Sequence, residues 1–184
     1  MGGIIVGFVP WIVFFSLPNQ TQQQINFAVI FVLGLTLLLN RKGLKAGFIL
    51  PWGTVVFFVF ALIMVVVLKN DWVAKPVNLN LLVNAMLALI AWLSMAIGKP
   101  FTIQYARQKV SQEFWDSPRF LFVNKMITLV WALAFTINMI ISLMIIYNPA
   151  LQHWITEFVT DGTTIAGLAF TFWFPDWYRE RKKS

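Results

Sequence analysis

Six apolar runs, at about 2–17, 25–39, 48–68, 77–97, 120–147 and 154–174, leave this chain little choice of architecture. A bilayer-spanning helix needs about 20 apolar residues, because it rises about 1.5 Å per residue across a hydrocarbon core about 30 Å thick. Runs three, four and five reach that length, while runs one and two fall a little short and are expected to extend into their polar flanks. The connection from Asn19 to Gln24 is short enough to make the first two runs a helical hairpin. Pro10 lies inside the first run, where its missing N–H and its ring are expected to bend the helix. The expected fold class is all-α: a polytopic helical membrane protein, one integral membrane domain over residues 1–184, with six transmembrane helices.

Composition agrees. The chain is 59% hydrophobic and 11% charged, where a soluble domain carries roughly 25% charged residues. Its nine Trp stand mostly near the ends of apolar runs, where amphipathic rings favour the headgroup layer. A net charge of +7 would suggest nucleic acid in a soluble protein. No nucleic-acid partner is expected here, because basic residues in the cytoplasmic loops of a membrane protein account for the same excess. The absence of Cys removes disulfides, thiolate metal sites, covalently attached haem and cysteine nucleophiles. The opening MGGIIVGFVPWIVFF has no basic n-region and no small-residue cleavage site, so it reads as a retained first span. Val6 stands where a myristoylation motif needs Ser or Thr.

Charge sets the expected topology. With six spans and the N-terminus inside, the inner segments are 40–47 with Arg41, Lys42 and Lys45, the stretch 98–119, and the tail 175–184 with Arg179, Arg181, Lys182 and Lys183. Lys125, one turn into the fifth run, can snorkel to the same side. Of the 14 basic residues, all but Lys69 and Lys75 are then inside, which satisfies the positive-inside rule. Both termini are expected in the cytoplasm.

The longest polar interruption is GKPFTIQYARQKVSQEFWDSPR, from Gly98 to Arg119. It carries Lys99, Arg107, Lys109 and Arg119 against Glu113 and Asp116. Read as a helix from Phe101 onward, it lines up Ile103, Ala106, Val110 and Phe114 on one stripe. A basic amphipathic segment ending near Trp115 is expected to lie flat on the membrane between helices four and five, against anionic lipid at the cytoplasmic face.

Polar residues inside the apolar runs carry the most functional information, because a bilayer makes them expensive. His153, Glu157 and Asp161 recur every four residues on the sixth run, close to Thr156, Thr160 and Thr164. Asn80 and Asn84 lie one turn apart near the outer end of the fourth run, with Asn78 nearby, and Thr136 and Asn138 lie in the outer half of the fifth. These can converge in the outer leaflet as a water-filled vestibule or proton-coupled site. The alternative is a packed network of interhelical hydrogen bonds, with His153 and Glu157 on a surface helix starting near Asn148-Pro149 and Asp161 capping the span. His153 and Glu157 have the spacing of two metal ligands, but no further His or Cys exists to complete a site, so no metal and no cofactor is expected. Gly3 with Gly7, and Gly162 with Ala166, are packing signals first and signals for a homo-oligomer second. No GxSxG, HExxH or phosphate-loop pattern is present, and no enzymatic activity is expected.

The sequence also resembles the bacterial septation protein A family of small polytopic inner-membrane proteins. The likeness rests on FVPWIVFF (Phe8–Phe15), Lys69-Asn70-Asp71, Trp92 followed by Lys99-Pro100, and Asn124, Trp131-Ala132, Phe135 and Asn138. The resemblance implies a non-enzymatic role in envelope maintenance and septation in the bacterial inner membrane. It implies contacts with other inner-membrane proteins of elongation and division, and supplies no catalytic residues. Lys99, Pro100, Arg107, Lys109 and Arg119 are the expected cytoplasmic contact surface.

Overall fold

A computed structural model describes residues 2–151 and 156–181, with side chains for residues 5–151 and 158–181. The described elements are helical: α1 (Gly2–Ser16), α2 (Gln22–Leu39), α3 (Arg41–Lys45), α4 (Ile49–Ala61), α5 (Pro76–Ala96), α6 (Phe101–Ala106), α7 (Pro118–Tyr147) and α8 (Asp161–Arg181). A π-helical stretch, Leu62–Val67, prolongs α4, and another, Thr156–Thr160, leads into α8. Among the described residues, four helices are long and apolar enough to cross a membrane: α2, α4 with its prolongation, α5 and α7. They contain 18, 19, 21 and 30 residues, with mean hydropathies of 1.6, 2.6, 1.9 and 2.4. The first apolar run becomes α1, which is only 15 residues long. On the sixth run the α-helix starts at Asp161 and continues to Arg181, well past the expected start of the tail at 175.

Local chemistry sets the helix ends. Thr21 and Gln24 form a reciprocal capping box at the start of α2, satisfying two backbone donors the helix cannot satisfy itself. Proline occupies the first turn of α5 and α7, where its fixed φ suits the helix and its missing donor costs nothing. Gly98 ends the α5 turn at φ +71°, a left-handed conformation that glycine adopts without a steric penalty.

Packing follows side-chain ties that can be read along the helices. Trp11 donates to Thr54 (2.9 Å) and Phe14 meets Phe58 edge-on (5.2 Å), so α1 and α4 run parallel. Asn138 with Thr163, Trp131 with Thr171 and Phe122 with Tyr178 descend α7 while climbing α8, so that pair is antiparallel. The core is aromatic and aliphatic, with Trp11, Val29, Phe58, Val83 and Phe101 almost wholly buried. Outside it, Phe27, Leu38, Val56, Leu89, Ile140 and Ile165 are each more than half exposed or close to it. That outward apolar surface suits hydrocarbon better than water.

The segment 98–119 departs from expectation. Only Phe101–Ala106 is α-helical, and a short 3₁₀ turn follows at Gln112–Phe114. Phe101, Thr102, Ile103 and Tyr105 are buried, while Phe114 is 53% exposed. α6 therefore does not lie on the surface as one amphipathic helix; it turns inward between the ends of α1, α4, α5 and α7. The physical reason is local. Gly98 reverses the chain, Pro100 precedes the helix, and the six residues that follow are too apolar to leave outside when a gap between helix ends can bury them.

Candidate functional site

A cavity of about 580 Å³ opens between α1, α5, α7 and α8 at the end of the bundle that carries Asn19, Pro76, Ile145 and Thr160. It lies within the range of about 300–1,000 Å³ typical of small-molecule pockets. Phe8, Leu87, Trp131 and Leu168 lie deepest along their helices. Below them, Phe101 of α6 meets Phe8 edge-on at 6.1 Å.

The wall is built from a stack of rings. Phe8 stacks on Trp131 (4.7 Å), and Trp131 on Phe135 (5.3 Å). The indole N–H of Trp131 donates to Thr171 at 3.0 Å, and Trp11 on the facing helix donates to Thr54. Both tryptophans can be buried because each N–H has a partner. Gly167 lets α8 approach this stack: a Cβ there would meet the Trp131 ring at 3.3 Å.

Four of the sequence's candidate residues, Asn80, Asn84, Asn138 and Asp161, line this one cavity. The Asn84 amide donates to the Asn80 carbonyl (3.0 Å) and to its Oδ1 (3.1 Å), holding the two on one face of α5. Asn138 Oδ1 accepts from Thr163 Oγ1 at 2.8 Å, tying α7 to α8. Asp161 is the first residue of α8 and is exposed at the mouth, with Thr160 and Thr164 beside it. His153 lies outside the described residues. Glu157 falls in the π-helical stretch Thr156–Thr160, and its side chain is not among those described. Among the described residues, no three acidic, imidazole or thiol groups converge as a metal site would require.

Other polar candidates have separate duties. Asn78 donates to the Trp72 carbonyl (2.8 Å) and braces the turn before α5. Thr136 accepts from Trp92 (3.0 Å) and lies away from the cavity. Asn148-Pro149 leads into the 3₁₀ turn Pro149–Leu151, and the rest of the expected surface helix up to Thr156 lies outside the described residues. Gly7 is a true close approach, because a Cβ there would press on the Tyr105 hydroxyl, whereas a Cβ at Gly162 would meet nothing within 4 Å.

A scan of protein-family models, a search of curated proteins and a search of solved structures each returned no match. The arrangement of side chains therefore carries the functional argument alone.

At the opposite end, α6 is tied to its surroundings by cross-element bonds. Thr102 Oγ1 lies 2.9 Å from the Asn124 carbonyl and 2.8 Å from Thr128 Oγ1. Phe101 N donates to Ser94 Oγ (3.1 Å), and Ile49 N donates to Gln104 Oε1 (2.8 Å). Tyr105 is buried and, among the described residues, its hydroxyl has no partner. Burial pushes the Tyr105 phenol well above its ordinary pKa, so it stays neutral. Sequence reasoning missed this plug. The available signal was three large side chains, Phe101, Ile103 and Tyr105, within five residues directly after Gly98-Lys99-Pro100.

Of the residues expected to form a contact surface, Lys99, Arg107 and Lys109 are exposed and Arg119 is half-buried. Pro100 is buried, which removes it from any such surface: it forms the turn into α6. The Arg107 guanidinium lies over the Trp115 ring at 4.9 Å.

Proposed function

We propose that this chain is a six-helix inner-membrane protein, with both termini cytoplasmic, that admits a small solute from the outer face into the cavity between α1, α5, α7 and α8. The observation that carries this reading is the asymmetry of the bundle. Asn80, Asn84, Asn138 and Asp161 line a cavity of about 580 Å³ at one end, with Asn84 and Asn138 only 2% and 3% exposed, while α6 packs into the other end and leaves a smaller cavity of about 250 Å³. Polar residues at membrane depth are expensive and concentrate where a pathway or binding site needs them. The orientation rests on the basic residues, since Arg41, Lys42, Lys45, Lys99, Arg107 and Lys109 all belong to the α6 end. In this reading α1, which rises about 22 Å, crosses the bilayer only with local thinning or help from its flanks.

The chain has no native Cys, so single-cysteine variants can be labelled with a membrane-impermeant maleimide applied from either side. Asn84→Cys, Asn138→Cys and Asp161→Cys are expected to label from outside, and Lys45→Cys and Gln108→Cys from inside. Silence at all three outer positions would overturn the reading.

A second reading has its own support: the exposed Lys99, Arg107 and Lys109 at the α6 end. As a member of the septation protein A family, the chain would act there by contacting anionic lipid and inner-membrane proteins of division. In both readings it acts by binding and not by catalysis. Charge reversal at Arg107, Lys109 and Arg119 is expected to abolish partner crosslinks; retention of every crosslink would exclude this surface.

A further inference from the structure

We infer that the cavity selects a monovalent organic cation with an apolar body, a substrate class that rests on the reading of the cavity as an outward-facing binding site. Charge is the first argument. Among the described residues lining the cavity, Asp161 is the only ionisable side chain, in a protein whose basic residues outnumber its acidic ones 14 to 7. An anion would meet a carboxylate at the mouth and, among the described residues, no basic partner in the lining.

Hydrogen-bonding capacity is of both kinds and leaves the choice to charge and shape. Several donors along the wall are engaged inside the protein: Trp11 with Thr54, Trp131 with Thr171, Asn84 with Asn80, Ser16 with the Ile12 carbonyl and Thr164 with the Thr160 carbonyl. The amides of Asn19, Asn80 and Asn138 also line the cavity and can both donate and accept. The wall thus presents one carboxylate, neutral amides and hydroxyls, and aromatic rings. Phe8, Trp11, Phe14, Phe15, Trp131 and Phe135 supply the rings, which attract a poorly hydrated cation through their quadrupoles and cover its apolar body.

The test compares two ions of nearly identical shape and opposite charge, tetraphenylphosphonium and tetraphenylborate, on the purified full chain, with radiolabelled ligand and excess unlabelled ligand to subtract detergent partitioning. Tetraphenylphosphonium is expected to bind saturably, at least tenfold tighter than tetraphenylborate. Asp161→Asn is expected to weaken it at least tenfold, while Asp161→Glu retains it, which separates a lost charge from a misfolded variant. Tetraphenylphosphonium should also protect Asn84→Cys from maleimide. Equal binding of both ions, indifference to Asp161→Asn, or labelling of Asn84→Cys with no binding or protection would overturn the substrate class while leaving the outward cavity standing. Failure of Asn84→Cys to label from outside would instead overturn the site on which the inference rests.

Discussion

The two ends of the bundle handle the same kinds of polar side chain in opposite ways. At the α6 end the bonds cross between elements: Thr102 reaches Asn124 and Thr128, Ser94 accepts from Phe101, and Gln104 accepts from Ile49. At the Asp161 end several bonds stay within one helix, as in Asn84 with Asn80, Ser16 with Ile12 and Thr164 with Thr160, while Asn138 with Thr163 and Gln22 with the Val65 carbonyl cross between helices. Cross-element bonds pin helices together, whereas bonds within a helix satisfy a side chain without closing the gap beside it. The α6 end consequently keeps only a small cavity, about 250 Å³ between α6, α7 and α8, against about 580 Å³ at the other end.

The sharpest way to break this comparison is at the ring stack between the two ends. Trp131→Ala removes a side chain only 3% exposed that stacks on Phe8 and Phe135, and is expected to destabilise the protein by about 3–5 kcal/mol. Thermal unfolding in detergent would show it as a large loss. A change near zero would mean the cavity floor is not packed as described. Gly7→Ala comes next. Its Cβ would press on the Tyr105 hydroxyl and Leu50, so α1 or α6 must move, at about 1–3 kcal/mol. A cysteine at position 102 labelled more readily in that background would locate the movement at the plug.

Thr102→Val tests the seal itself. It keeps the shape but removes the bonds to Asn124 and Thr128, for an expected loss of about 1–2 kcal/mol. If these bonds hold α6 in place, Asn84→Cys should become reachable from the inner side in this background. Unchanged one-sided labelling would show that apolar packing alone suffices. Tyr105→Phe should have the opposite sign, because it deletes a buried hydroxyl without a partner among the described residues, and is expected to be neutral or to stabilise by up to about 1 kcal/mol. A clear loss would reveal a partner for that hydroxyl. A change outside both the cavity lining and the plug serves as the control: Thr21→Ala loses the α2 capping box, at about 1 kcal/mol, and should leave labelling at positions 84 and 102 unchanged.

Much of the helical layout was legible because hydropathy acts over long windows. The runs at 25–39, 77–97 and 120–147 became Gln22–Leu39, Pro76–Ala96 and Pro118–Tyr147, with Thr21, Pro76 and Pro118 marking the starts. Asn80, Asn84, Asn138 and Asp161 were legible as candidates because a polar side chain in an apolar run is conspicuous. The direction each one faces was less so. Thr136 has the same credentials as Asn138 two residues later, yet a helix rotates about 200° over two residues, and Thr136 pairs with Trp92 instead.

The amino-acid order by itself determined that the chain is helical, where most of its long helices run, and which end gathers positive charge, because each follows from properties summed along contiguous residues. Tertiary structure decided what occupies the space between those helices. Phe101–Ala106 could have rested on a surface, and its amphipathic pattern allowed that; the gap left by α1, α4, α5 and α7 buries it. Whether the asparagines lock together or face a cavity depended on distances between helices, which are set by packing at residues such as Gly7, Gly167 and Trp131, far from them in sequence.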